Sequence, residues 1–276
     1  MSVKNAGIRF AVAWFVAAAT VGGGAAKAQS QVPPWPAEAS PGLAALAEAS
    51  QQDKYAFVLF WKQQDDATDR MFGQLNDVIA HETAKPAIVS ISVGDPAEAE
   101  SVKVFGVDRA PMPLLVAVAP NGAITKAWPM RFDGRELPAA MVSRGAAQTL
   151  KALQDNKMVV LCVQHATAET ETAVLRAARE FQASEGYATT TQVVVVHQND
   201  PAENAFLTSI QLDPNNPEPV TVLIAPPGRP FAKLVGNVTA EQIAAKVIAA
   251  GSACCPDGQC GPGAQCCPGG QCPPQK

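Results

Sequence analysis

Six of the seven cysteines are crowded at the C-terminal end, as Cys254, Cys255, Cys260, Cys266, Cys267 and Cys272. They form a repeated unit, Cys254-Cys255-Pro256-Asp257-Gly258-Gln259-Cys260 followed by Cys266-Cys267-Pro268-Gly269-Gly270-Gln271-Cys272. Pro-Asp-Gly and Pro-Gly-Gly are turn formers, so each unit is expected to fold back and bring its third thiol toward its first two. Convergent thiols have three uses. Thiolates bind soft or borderline ions such as Cu(I) or Zn(II), and a short Gly/Pro frame can wrap one without an apolar core. An even number of thiols outside the cytosol can instead pair as disulfides that staple the segment. Adjacent cysteines close only a strained and easily reduced ring, which opens a third use, exchange of disulfides with a partner. The spacing is not C-x-x-C paired with C-x-x-C, so it does not name the ion.

Elsewhere the reactive side chains are sparse. Asp65, Asp66, Thr68 and Asp69 crowd one turn ahead of an amphipathic pattern. An acidic trio could hold a cation, but carboxylates also suit the positive end of a helix, and Asp65 or Asp66 reads as an N-cap with Asp69 in the first turn. Cys162 sits inside an apolar run and reads as a small core residue with an inert thiol. His81, His165 and His197 have no partner nearby in sequence. The chain contains no G-x-S-x-G, H-E-x-x-H or Walker loop.

The elements that position these groups recur. Tyr55 to Trp61 and Met158 to Val163 are apolar runs of strand length, read as buried strands. A helix follows each, painted on one face by Met71, Phe72, Leu75, Val78 and Ile79 and by Val174, Leu175, Ala178 and Phe181. The strands Ala87 to Val93 and Thr191 to Val196 come next, and each leads into the same four letters, Asp95-Pro96-Ala97-Glu98 and Asp200-Pro201-Ala202-Glu203. Asp as N-cap with Pro in the first helical turn starts a helix at both places. Finally, Pro113 to Gly122 and Pro219 to Gly228 align without a gap as Pro, strand, then Ala-Pro-x-Gly. Ordered matches at a nearly constant spacing argue for a duplicated domain. Each copy is expected to close with a helix, Leu137 to Leu153 and Thr239 to Ala250, the second opened by a Thr239/Gln242 capping box and ended by Gly251.

Alternation of this kind gives an α/β fold with helices on both faces of a central mixed sheet. Phe60-Trp61 before a helix, Asp95-Pro96 with Phe105-Gly106-Val107, and a proline opening the next strand resemble the thioredoxin family. The resemblance spans roughly residues 37 to 251. It implies two tandem thioredoxin-like domains and a cis proline facing the site, with Pro113 the choice in the first copy and Pro219 in the same frame of the second. It also implies W-C-x-x-C at the turn after the first long strand, where a helix N-terminus lowers thiol pKa. This chain departs there: the turn reads Gln63-Gln64-Asp65-Asp66-Ala67-Thr68-Asp69, and the second copy offers Gln164-His165-Ala166-Thr167. Both lack the thiol pair, so the tandem fold reads as redox-silent at its usual site and as a binding or structural module.

Composition sets the remaining bounds. With 276 residues, 47% of them hydrophobic, the chain can build two cores. A formal charge of -4 leaves no basic excess for phosphates, so nucleic acid is not an expected partner. Lys4 and Arg9, the apolar stretch Phe10 to Val21, and Ala26-Lys27-Ala28 follow a secretory signal pattern, too short before Gly22-Gly23-Gly24 to span a bilayer. The expected organisation is a signal peptide at 1–28, a linker at 29–36, domains at 37–155 and 156–251, and a disordered Cys/Gly/Pro-rich tail at 252–276. The product would be periplasmic or extracellular, with no membrane insertion after cleavage. Its expected partner is a protein of unknown identity or a metal ion.

Overall fold

A computed structural model of the chain describes Trp35 and residues 40–165, 172–213 and 216–254. All of them belong to one unit, Gln31–Lys276. The first half runs α1 (Pro41–Gln51), β1 (Ala56–Trp61), α2 (Asp66–His81), β2 (Ala87–Ser92), α3 (Ala99–Phe105), β3 (Leu114–Val118), β4 (Ile124–Pro129) and α4 (Leu137–Ala140). The second runs α5 (Arg144–Gln154), β5 (Met158–Gln164), α6 (Ala173–Ala183), β6 (Thr191–His197), α7 (Asn204–Ser209), β7 (Val220–Ala225), β8 (Arg229–Val235) and α8 (Ala240–Cys254).

Each half carries a four-stranded sheet in the same order, β2-β1-β3-β4 and β6-β5-β7-β8. β1 is parallel to β2 and antiparallel to β3, which pairs antiparallel with β4. The second sheet repeats this pattern. Side chains alternate across β1, so Val58 and Phe60 enter a core with Leu43, Leu46 and Val107, while Phe57 and Leu59 pack with Met71, Leu75 and Trp128. Both strand faces are covered, which is why β1 reads as an unbroken apolar run. The chain therefore folds as two thioredoxin-like domains, mixed sheets flanked by helices.

The repetition extends to single residues. Ser40 caps α1 and its hydroxyl lies 2.5 Å from Ser101 Oγ, while Glu98 accepts the Gly42 N–H at 2.9 Å. Ser143 caps α5 and its hydroxyl donates to Glu203 at 2.5 Å, and Glu203 accepts the Gly145 N–H at 2.8 Å. Both carboxylates are buried. Both glycines are sterically required, since a Cβ at Gly42 would stand 2.6 Å from Ile91 and one at Gly145 would stand 2.5 Å from Val196. Left-handed residues also pair: Asp53 with Asn156, Gly106 with Gln211, and Met130 with Gly236.

Three boundaries differ from the sequence reading. The helix expected over Leu137 to Leu153 is two helices, because Met141 and Val142 break it and Ser143 restarts it as an N-cap. The second of them, α5, lies against β5 and β6 and answers to α1, while Ala147 also packs with Ala119 and Ala123 of the first half. Gly251 does not end α8, which continues to Cys254; glycine in a helix costs only about 1 kcal/mol and is no obligatory stop. Trp35, expected in a linker, stacks on Phe105 with ring centroids 6.4 Å apart. The Thr239/Gln242 capping box is formed, with Thr239 N–H donating to Gln242 Oε1 and Gln242 N–H to Thr239 Oγ1.

Candidate functional site

At the end of β1 the chain turns into α2. Asp65 is extended and caps the helix, its Oδ1 accepting the N–H groups of Ala67 at 3.1 Å and Thr68 at 2.9 Å. The Thr68 N–H, first among these, holds the exposed Asp65 carboxyl below the usual carboxylate range. Thr68 itself is buried and donates its hydroxyl to Gln63 O. Asp66 and Asp69 lie in the first turn, where the helix dipole favours negative charge. A carboxylate thus occupies the amide groups that would otherwise be free for a thiolate or another anion.

The Met112–Pro113 bond is cis. Pro113 O accepts the N–H of Met130 at 2.7 Å, and Met130 is held at φ 64. Beside α2 and Met130 lies a cavity of 440 Å³ lined by Ala67, Arg70, Met71, Gln74, Met130, Arg131 and Phe132. Arg70 donates its Nε to Asp66 O. Among the described residues its lining supplies the guanidinium groups of Arg70 and Arg131, the amide of Gln74 and apolar contact.

The second half departs from the first. Among the described residues the cis bonds are Met112–Pro113 and Pro226–Pro227, so the choice of Pro219 as a second cis proline is corrected: the Glu218–Pro219 bond is trans. Trans is the default by about 0.5–1 kcal/mol for X-Pro bonds. Here the chain reaches β7 through a local turn in which Glu218 N–H donates to Asn216 Oδ1. The frame around Pro219 is otherwise kept, since its carbonyl accepts the Gly236 N–H at 2.8 Å. His165, without a partner in sequence, has two in space: Asn199 Oδ1 lies 3.1 Å from Nδ1 and Asn216 O lies 2.7 Å from Nε2. It ties the β5, β6 and β7 loops together. Cys162 is fully buried in β5, and desolvation pushes its thiol from 9.0 to about 12, against the weaker pull of Arg179.

Of the tail thiols, the described backbone ends at Cys254, the last residue of α8. Cys255, Cys260, Cys266, Cys267 and Cys272 lie outside the described residues, as do residues 1–28 of the expected signal peptide. Among the described residues no group of three or more His, Cys, Asp or Glu side chains could hold a metal ion. No helix among them is long and apolar enough to cross a membrane.

Sequence reasoning missed the cavity between α2 and Met130-Arg131-Phe132. Its signal was available: the frame that carries Gly236 in the second copy carries Met130 in the first, and a non-glycine residue kept at positive φ marks a place under local demand.

No protein-family model matches the chain, and no curated protein matches it. Solved structures do show likeness. Thioredoxin O2 from Arabidopsis thaliana is 9% identical and aligns over 35% of this chain and 79% of that one, with a TM-score of 0.29. The pneumococcal exposed lipoprotein thioredoxin of Streptococcus pneumoniae is 11% identical over 34% of this chain and 86% of that one, TM-score 0.29. Human ERp44 is 9% identical over 75% of this chain and 55% of that one, TM-score 0.33. The thioredoxin-like fold is read from the strand order and from α2 following β1.

Proposed function

We propose that this is an exported, non-enzymatic binding or scaffold protein whose thioredoxin-like domains present surfaces and whose C-terminal cysteines take a soft metal ion. The observation that carries the reading is the partition of the thiols. Cys162 is sealed in the second core with its thiol pushed up to about 12, and the turn before α2 is capped by Asp65. The other six cysteines begin at the last residue of α8. Thiol chemistry is thereby concentrated in the tail. The C-terminal carbonyls of α8 carry the negative end of its dipole, which favours a cation over a bare thiolate there. Export rests on the N-terminal charge, apolar stretch and small residues. The first domain ends before Ser143, because α5 is the counterpart of α1.

Replacement of all six tail cysteines by Ser is expected to abolish stoichiometric binding of Cu(I) or Zn(II), measured by native mass spectrometry of the mature protein. Metal retained by that variant would refute the reading. A denatured mass showing three disulfides in the unreduced wild type would favour the stapled tail. Loss of insulin-reducing activity on deleting the tail would favour exchange.

A further inference from the structure

Two guanidinium groups, those of Arg70 and Arg131, line the 440 Å³ cavity beside α2. Its apolar lining is the buried Met71 and Phe132 and the half-exposed Met130. Arg70 gives its Nε to Asp66 O at 2.8 Å, a carbonyl of its own helix, which leaves its two terminal nitrogens for the cavity. Neither guanidinium belongs to an ion pair among the described residues, although Asp66 and Asp69 lie on the same helix one turn or less before Arg70. The second half lacks this arrangement in the matching frame. Met130-Arg131-Phe132 follows the bond to Pro113 O, and Gly236-Asn237-Val238 follows the bond to Pro219 O. The buried apolar residue is kept, as Phe132 and Val238, while Arg131 and the left-handed Met130 are replaced. The same frame thus forms without them, so the fold does not require them.

Charge, size and backbone define what the cavity would hold. A guanidinium is a planar fork whose parallel N–H groups match a carboxylate, and two unpaired forks lining one cavity favour an anion of that shape. The carboxylates of Asp65, Asp66 and Asp69 at the start of α2 oppose any further negative charge, which favours a single charge over a phosphate dianion. Met71, Met130 and Phe132 offer apolar contact to the rest of the ligand, and 440 Å³ lies in the range of small-molecule sites. A peptide main chain would find no donor on the Met130-Arg131 segment, because both N–H groups already donate, to Pro113 O and Pro129 O at 2.7 Å. We propose that this cavity binds a small, free monocarboxylic acid with an apolar body, its carboxylate held by Arg70 and Arg131 and its body against Met71, Met130 and Phe132.

The test is a methyl-resolved NMR titration of the full chain, with Met71 and Met130 as reporters in the cavity and Met158 of the second sheet as the control. Phenylacetate is expected to give saturable shifts at Met71 and Met130 and none at Met158. Acetate, which lacks the body, and phenylacetamide, which lacks the charge, are each expected to bind about tenfold more weakly. Arg70→Gln and Arg131→Gln are each expected to weaken phenylacetate several-fold, and the two together to erase its advantage over phenylacetamide. The melting temperature should stay unchanged, because both side chains are exposed. No saturable shift at Met71 and Met130, equal responses to phenylacetate and phenylacetamide in the wild type, or full affinity for phenylacetate in the double variant would overturn the proposal. Tighter binding of benzylphosphonate would overturn the single-charge part of it, and tighter binding of an amide-capped Phe-Asp peptide the free-acid part.

Discussion

Gly145 is the residue on which the start of α5 turns. Its N–H reaches the buried Glu203, and an added Cβ would lie 2.5 Å from Val196 Cγ2 and 2.8 Å from Glu203 Oε2. Gly145→Ala should therefore cost about 1–3 kcal/mol of overpacking, read as a lower midpoint in urea. Gly73, inside α2 with nothing within 4 Å of its would-be Cβ, is the control: Gly73→Ala should gain up to about 1 kcal/mol. Met130 offers the opposite case. It is half exposed and held at φ 64, where an L-residue is disfavoured by about 1–2 kcal/mol, and Gly236 shows what the frame accepts. Met130→Gly is expected to raise the melting temperature by a few degrees at about 1 kcal/mol of added stability. A fall in melting temperature would mean that the side chain contributes more in contacts at the α2 cavity than the backbone loses.

Among the elements, α5 is the one that sequence periodicity places in the first half and that packs on β5 and β6 of the second. The apolar pattern from Leu137 to Leu153 is continuous, and only the Ser143 cap and the buried Glu203 show that a new helix starts and where it belongs. Glu203 is distant in sequence, so the pattern alone could not reveal the bond. By contrast, the strands were legible because their apolar runs are covered on both faces, and the 3-10 turns at Asp95 and Asp200 because Asx caps with Pro are local. The turn before α2 was legible for the same reason, its cap being made within three residues. The His165 bridge and the α2 cavity were not, since their parts come from separate loops. The assignment of α5 has a test in fragments: 143–254 should unfold cooperatively in denaturant, whereas 156–254, lacking Ala152 and the Gly145 bond, should not. Equal cooperativity in the two fragments would return α5 to the first half.

At the scale of the whole molecule, each half carries a buried or half-buried group, among the described residues, whose proton is held to high pH. Burial pushes Cys162 in the second sheet from 9.0 to about 12. Burial likewise raises Tyr55 from 10.0 to about 12, with the charge of Asp53 adding to the rise. In both, folding favours the protonated form. Unfolded chains release these protons first as pH rises, so the stabilising effect is whole below pH 9.0 and is lost progressively toward about 12. Tyr55 donates its hydroxyl to the carbonyl of Val142 at 2.7 Å, at the entrance to α5, so its ionisation strikes the link between the halves. A urea-midpoint series from pH 8 to 11 should be flat at first and then fall. Cys162→Ala should remove the part of the fall that begins near 9.0, and Tyr55→Phe the part that begins near 10.0, at a constant cost from the unpaired carbonyl. If the halves are coupled through α5, circular dichroism and Trp fluorescence will report one alkaline transition. Two separated transitions, with the Cys162 variant moving only one of them, would show that each sheet fails alone.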